Sequence, residues 1–314
     1  MSNVMKAVQI NKFGDRSVLE LNANVEIPTP AANEVLIKVK SASVNPVDWK
    51  IREGYLQAML NHTLPLTLGW DVSGEVVATG EQVSKLNVGD AVYSRPDIAK
   101  NGSYAEYITV VADEVAIKPK SLSWQEAAGV PLAALTAWQS LYELAKLEAG
   151  ERVLIHAGSG AVGQFAIQLA KLRGATVYTT TSSKNTRLVL SLGADHAIDY
   201  HKEDFSELKE IDVVFDTIGG ETQANSWKTL KKGGRLVSIT ENPDEAIAAK
   251  HNVSAFFCFV QPNSEQLDKL AEFADAGKLK VSIDSEFGLD EVTKAHERSE
   301  SGRAQGKIII NVSE

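Results

Sequence analysis

Residues 152–172 read "RVLIHAGSGAVGQFAIQLAKL" and carry the densest chemical signal in the chain. A β-prone run ends at Ala157, and Gly158, Gly160 and Gly163 then spell G-x-G-x-x-G. Val162, Phe165, Ala166 and Leu169 follow at helical spacing. A strand, a glycine loop and a helix in this order suit a pyrophosphate. Gly158 is expected to allow a tight turn and Gly160 to let the backbone approach the anion. Gly163 lets the helix pack close on the strand, and the helix N-terminus faces the negative charge. The backbone at Gly158, Gly160, Ala161, Val162 and Gly163 is therefore the expected cradle of a dinucleotide.

The next β-branched run, "ATVYTTT", leads into Ser182, Ser183 and Lys184, with Arg187 one turn further on. An acid at this point would bond the ribose 2′-hydroxyl of NAD and repel the extra phosphate of NADP. Hydroxyls can instead donate to phosphate oxygens, and a lysine supplies the countercharge. The composition of this turn predicts NADPH as the cofactor.

The elements around these residues fit that chemistry. The N-terminal third is β-rich: "EVLIKVKSASV" alternates, and "SGEVVATG" and "AEYITVVA" are short β-prone runs between turn residues. From about residue 123 the chain turns Ala- and Leu-rich and helical, broken at Gly129 and Pro131. Strand and helix signals then alternate through "RVLIHA", "TVYTTT", "HAIDY", "DVVFDTIG" and "RLVSIT", which predicts an α/β chain with a parallel sheet covered by helices. Near the C-terminus, "NSEQLDKLAEFADAG" places Leu267, Leu270, Ala271 and Ala274 on one helical face, capped by Asn263 or Ser264 and ended by Gly277. The run "GKIIINV" reads as a closing strand.

Composition bounds the rest. The 314 residues suffice for two domains, and 44% apolar with 23% charged residues is the balance of a globular protein. No apolar run reaches the roughly 20 residues needed to span a bilayer. A net charge of −9 with no basic cluster argues against a general grip on nucleic acid. The single cysteine, Cys258 in "VSAFFCFV", reads as a buried inert thiol, excludes an internal disulfide and makes a cytoplasmic location the default expectation. Six histidines lie scattered with none at metal-motif spacing, and His156 reads as a packed strand-end residue.

Beyond these motifs the chain resembles a known family along nearly its whole length. "MKAVQINKFG", "SVNPVDWKIREG", "GWDVSGEVVATG", "VGDAVY", "GSYAEY", "LTAW", "HAGSGAVGQFAIQLAK", "LGADHAIDY", "FDTIGG", "GGRLVSI" and "GRAQGKIII" follow in family order. They resemble the medium-chain dehydrogenase/reductase superfamily, in its zinc-independent quinone oxidoreductase branch of zeta-crystallin-like proteins. The resemblance implies a GroES-like β-rich catalytic domain over residues 1–124, completed by 263–314. A Rossmann domain over 125–262 would be inserted between them. It implies that Lys184 and Tyr200 hold the 2′-phosphate, that Asn45 and Thr136 lie near the nicotinamide, and that Thr217, Ile218 and Gly219 line the cleft. Relatives commonly pair as homodimers through the last Rossmann strand, here expected in "SAFFCFV".

Zinc-containing members of the superfamily place a ligand cysteine where this chain has Asn45 and a ligand histidine where it has Trp70. Neither residue is an ordinary zinc ligand, and Asp48 with Asp71 alone would make a poor zinc site. Without a Lewis acid, hydride transfer favours acceptors that delocalise the developing charge. Quinones and α,β-unsaturated carbonyls do so. Asn45, Lys50 and Tyr55 are the candidate hydrogen-bonding groups near such an acceptor. Tyr55 reads equally as a proton donor or as a pocket wall. Trp70 is expected to fill the metal's volume and offer an apolar platform. Two alternatives stand beside the reductase: a non-enzymatic NADPH-binding structural or regulatory protein, and, less favoured, a zinc alcohol dehydrogenase.

Overall fold

A computed structural model describes residues 3–313, which divide into two compact units. One takes the chain up to Leu132 together with Gln261–Gly277 and the segment from Val281 onward. The other takes Ala133–Val260 with Lys278–Lys280. Among the described residues no helix is long and apolar enough to cross a membrane.

The first unit is built on strand Glu34–Val44. It pairs antiparallel with Val72–Thr79, Tyr107–Val111 and the closing strand Lys307–Asn311. Partners along its whole length explain a departure from the expected alternation: nine of its eleven residues are buried, not every second one. Val35, Ile37 and Val39 join Val72, Val76, Val92, Ile108 and Val110 in the core. These β-branched side chains pack well on a pleated surface. Register here positions chemistry. Ile308 faces Val44 and Ile309 faces Ser43, so the first residue of the closing strand, Lys307, meets the chain at Asn45.

Asn45 is also where the strand gives way to helix Pro46–Arg52. Proline at the first helical position and a bond from the Asn45 N–H to the Asp48 carboxylate, 2.8 Å, mark that start. Helix Ser264–Asp275 belongs to this unit too. The Asn263 side chain accepts from the Gln266 N–H at 2.9 Å, and Gly277 follows the helix at φ +68.

The second unit is a six-stranded parallel sheet. Its spatial order is His196–Asp199, Thr176–Thr181, Arg152–Ile155, Ile211–Asp216, Leu230–Ser238 and Ser254–Phe257. In sequence order within the sheet this is 3-2-1-4-5-6, the doubly wound arrangement whose direction reverses between its first and fourth strands. Central strand Ile211–Asp216 is buried at every position, as a strand covered on both faces must be. Cys258 is buried beyond the end of the last strand, and burial raises its thiol pKa.

Candidate functional site

In the parallel-sheet unit the glycine loop joins strand Arg152–Ile155 to helix Ala161–Leu172. Three bonds pin the strand's end: His156 N–H to the Phe215 carbonyl, 3.0 Å; Ala157 N–H to the Thr180 hydroxyl, 3.1 Å; and Gly158 N–H to the Thr180 carbonyl, 3.0 Å. The turn is made at Ala157, which has φ +50, whereas Gly158 keeps an ordinary negative φ. The expected reason for Gly158 is thus corrected. It is needed for space, because an added Cβ would lie 2.0 Å from the Thr179 hydroxyl. A Cβ on Gly163 would lie 2.3 Å from the Ala157 carbonyl, which is the close helix–strand approach expected there. At Gly160 the nearest atom would be 3.3 Å away, and the loop around it is part-exposed. The N–H groups of Ala161, Val162 and Gly163 open the helix with no intrahelical acceptor. This is a cradle that fits a dinucleotide pyrophosphate.

The neighbouring loops are held by buried polar groups. Asp216, fully buried, accepts from the N–H groups of Ile218 and Gly219 at 3.0 and 2.9 Å, from Gln223 at 3.0 Å and from Ser238 at 2.9 Å. It shapes the turn in which Gly219 adopts φ +80 and Ile218 stands exposed. Thr217 donates to the His156 carbonyl at 2.8 Å. A cleft of about 660 Å³ opens here, lined by His156, Ala157, Thr180, Tyr200, Lys202 and Ile218 among others. Tyr200 is exposed. Thr136 is buried in helix Pro131–Trp138 and is not among the residues lining this cleft.

Around the turn after strand Thr176–Thr181 the sequence reading is partly corrected. Lys184 is exposed, and Ser182 is part-exposed. Ser183, however, already has an acceptor for its proton: its hydroxyl donates to the carboxylate of Asp199. Asn185 donates to the Ser159 hydroxyl at 3.0 Å and ties this turn to the glycine loop. Asp199 escaped sequence reasoning because it belongs to a different strand.

The first unit holds a second, fully buried polar cluster. Asp71 is enclosed and accepts from Ser43 at 2.7 Å, Asn45 Nδ2 at 2.8 Å, the Leu132 N–H at 2.6 Å and Lys307 Nζ at 3.0 Å. Lys307, 1% exposed, also donates to Asn45 Oδ1 at 2.7 Å. Asn45 is thereby fixed at both ends of its amide. Asp48 accepts from Tyr104 at 2.8 Å, and burial, opposed by its hydrogen bonds, pushes its pKa up to about 7. The expectation that Trp70 forms a platform in place of a metal is corrected. Trp70 is wholly enclosed, stacks on His62 at 6.0 Å and donates its indole N–H to the Lys100 carbonyl at 3.2 Å. The group beside Asn45 is the Lys307 ammonium. Tyr55 is 68% exposed with its ring edge-on to Trp49 at 6.4 Å, and Lys50 Nζ lies 5.8 Å from the same indole. Lys307 was the missed member of this cluster, and Asp71, weighed only as a poor metal ligand, is its shared acceptor. The one available signal was a lysine directly before the apolar run "IIIN".

His156 supports a pH-dependent prediction. It is buried, with Nδ1 3.2 Å from the Thr180 hydroxyl and Nε2 2.9 Å from the Ser226 hydroxyl. Burial lowers its pKa from 6.5 to about 4, against the opposing pull of Asp216. Between those values the unfolded chain takes up a proton that the folded chain refuses, so stability falls as pH drops from 6.5 toward 4. His296 acts in the same direction and Asp48 in the opposite one. The wild type should therefore lose more melting temperature between pH 7 and 5 than His156→Asn does. Parallel pH curves from calorimetry would remove His156 as a source.

Comparison with known proteins agrees with this architecture. The family model described as alcohol dehydrogenase GroES-like domain matches residues 31–120, and one described as zinc-binding dehydrogenase matches 192–310. The 2-methylene-furan-3-one reductase of Solanum lycopersicum is 41% identical, over 98% of this chain and 79% of that protein. The chloroplastic NADPH-dependent alkenal/one oxidoreductase of Arabidopsis thaliana is 38% identical, over 98% and 79%. The solved structure of the quinone oxidoreductase from Coxiella burnetii is 38% identical and superimposes with a TM-score of 0.91, over 99% of this chain and all of that one. With a glycine cradle on a doubly wound sheet and a GroES-like unit beside it in sequence, the chain belongs to the medium-chain dehydrogenase/reductase family, in its quinone oxidoreductase branch, and is an oxidoreductase that uses a nicotinamide cofactor.

Proposed function

We propose that the chain is an NADPH-dependent reductase of quinones or α,β-unsaturated carbonyls and that it works without a metal. The observation that carries this reading is the Lys307 ammonium bonded to Asn45 and Asp71. Those two residues hold the oxygen atoms that a cation near Asn45 would need, and a fixed positive charge among them repels a divalent ion. Trp70 offers no ligand atom. The residues present do not fit zinc, whatever chemistry a zinc-binding relative performs.

The residues of the parallel-sheet unit fit a dinucleotide, which when bound supplies a hydride. Gly160, Ala161, Val162 and Gly163 present backbone to its pyrophosphate; Ile218 lines the cleft, and Thr217 and Gly219 flank it in the same turn. Lys184 is the countercharge for a 2′-phosphate, with Ser182 and Tyr200 beside it. Tyr178↔His196 and the following pairs run in register to Thr181↔Asp199, so the exits of both strands lie side by side. Asn45 gives one amide hydrogen to Asp71, and its second is the donor this reading assigns to an acceptor oxygen. Lys307 polarises that amide by bonding its carbonyl. One neutral donor suits an oxygen whose charge is spread by conjugation. Losing a single such donor costs about 2.7–4 kcal/mol, or 10²–10³ in rate. Tyr55, exposed on its loop, is either a proton donor or a wall. Among the described residues, edge strand Ser254–Phe257 bonds to one neighbour and exposes Phe257, which supports pairing of two chains along that edge.

NADPH oxidation in the presence of a chelator should be seen with quinones, enals and enones and not with unactivated ketones or simple alcohols. Brisk oxidation of a secondary alcohol, or activity lost to the chelator, would overturn the reading. Tight NADPH binding without turnover on any acceptor would favour the binding-protein alternative. Lys184→Ala should weaken NADPH about 10- to 100-fold, the worth of a charged hydrogen bond, and leave NADH nearly unchanged. Equal losses for both cofactors would show that Lys184 does not read the phosphate. Sedimentation should find a dimer, and a monomer at micromolar concentration would remove the edge pairing.

A further inference from the structure

The turn that holds Ser182, Ser183 and Lys184 lacks an acid of its own, yet the fold delivers one. Strands Thr176–Thr181 and His196–Asp199 run parallel with Thr181 opposite Asp199. Both chains leave the sheet at the same level. The Asp199 carboxylate, 7% exposed, accepts from the Ser183 hydroxyl and from the His201 N–H at 3.2 Å. The Asp199 backbone N–H donates to Glu203 at 2.9 Å, which fixes the chain from which the carboxylate projects. Lys202 reaches back over this pair. Its Nζ lies 3.2 Å from Asp199 Oδ2 and 3.2 Å from the Ser183 hydroxyl oxygen, while the side chain remains 70% exposed. Lys202 also lines the 660 Å³ cleft together with Tyr200.

A phosphate arriving at this turn would therefore meet a problem and its remedy. Ser183 has given its proton to Asp199 and turns only lone pairs outward. A fixed carboxylate one hydrogen bond behind it repels a dianion. Lys202 is bound to that carboxylate by an exposed contact, the kind that is weak and screened in water. A phosphate monoester carries about −1.5 to −2 charges at neutral pH and three strong acceptor oxygens. It competes for this ammonium with a single carboxylate oxygen, Asp199 Oδ2, that already accepts from Ser183.

We infer that Asp199 and Lys202 form the selectivity pair of the cofactor site: Lys202 is a second cation for the 2′-phosphate, and Asp199 is its counter-ion while no phosphate is present. The pair explains how a turn backed by a buried acid from the neighbouring strand can favour a phosphorylated cofactor. With NADPH, Lys202 moves to the phosphate beside Lys184. With NADH it stays on Asp199, and the site pays no penalty for an unmatched charge. Selectivity is then graded by the strength of the Asp199–Lys202 contact, not fixed by Lys184 alone. This inference rests on the reading of Lys184 as a phosphate ligand.

The test is binding, measured by calorimetry on the full-length protein with NADPH, NADH, 2′-AMP and 5′-AMP. Lys202→Ala should weaken NADPH and 2′-AMP by about three- to tenfold, less than Lys184→Ala, because Lys202 gives up its contact with Asp199 to reach the phosphate. NADH and 5′-AMP should be unaffected, and Lys202→Arg should restore most of the loss. Asp199→Asn keeps the acceptor for His201 and should tighten NADPH by a few-fold without improving NADH. Unchanged NADPH affinity in Lys202→Ala, alongside a clear loss in Lys184→Ala, would overturn this inference and leave the phosphate reading of Lys184 intact. No effect of either lysine would overturn both. A loss of NADH affinity equal to that of NADPH in Lys202→Ala would also overturn it, since the lysine would then be supporting the loop and not reading the phosphate.

Discussion

The ion pair between Lys307 and Asp71 is the constraint on which the GroES-like unit depends. Both side chains are excluded from water, at 1% and 0% exposure, and stand 3.0 Å apart. Burying two charges costs several kcal/mol each unless every remaining proton and lone pair is matched. That requirement reaches outward. Asp71 takes donors from Ser43, Asn45, Leu132 and Lys307, which come from three separate stretches of chain. Removing one partner would leave an unpaired charge in the interior, a loss of about 3–5 kcal/mol in comparable cases. The closing strand, the start of helix Pro46–Arg52 and the segment entering Leu132 are thus locked by one carboxylate.

The same cluster sets the chemistry of Asn45. An amide free to rotate could present oxygen or nitrogen to a ligand. Here Lys307 can only donate, so it must face Oδ1, and Asp71 can only accept when ionised, so it must face Nδ2. The orientation of the amide follows from the charges of its neighbours. A cluster built this way fixes the Asn45 amide with its nitrogen toward Asp71 and its oxygen toward Lys307.

In the parallel-sheet unit the corresponding device is uncharged backbone held in an unfavourable shape. Ala157 sits at φ +50, a conformation that costs an L-residue roughly 1 kcal/mol or more. Bonds from His156, Ala157 and Gly158 to the two flanking strands hold it there. The helix that follows can then start directly after the loop, with Gly160 at its N-cap. Asp216 performs a similar service one strand away by gathering two backbone N–H groups and two side chains.

Local pattern was enough for the α/β class, the parallel sheet and the glycine loop, because periodicity and glycine spacing act over a few residues. "RVLIHAGSGAVGQFAIQLAKL" specifies strand, turn and helix without outside help. It was not enough to say which residue makes the turn: Gly158 and Ala157 exchange roles because Thr179, on the neighbouring strand, claims the space. Nor could it show that Trp70 is sealed away, that Ser183 has spent its proton on Asp199, or that Lys307 meets Asn45 from 262 positions along the chain. Each of those facts depends on register between strands that are distant in sequence, and on the need of every buried polar atom for a partner. That need is settled only when the whole fold closes, so the sequence determined the kinds of element and the cofactor loop, while the tertiary structure decided which charges meet.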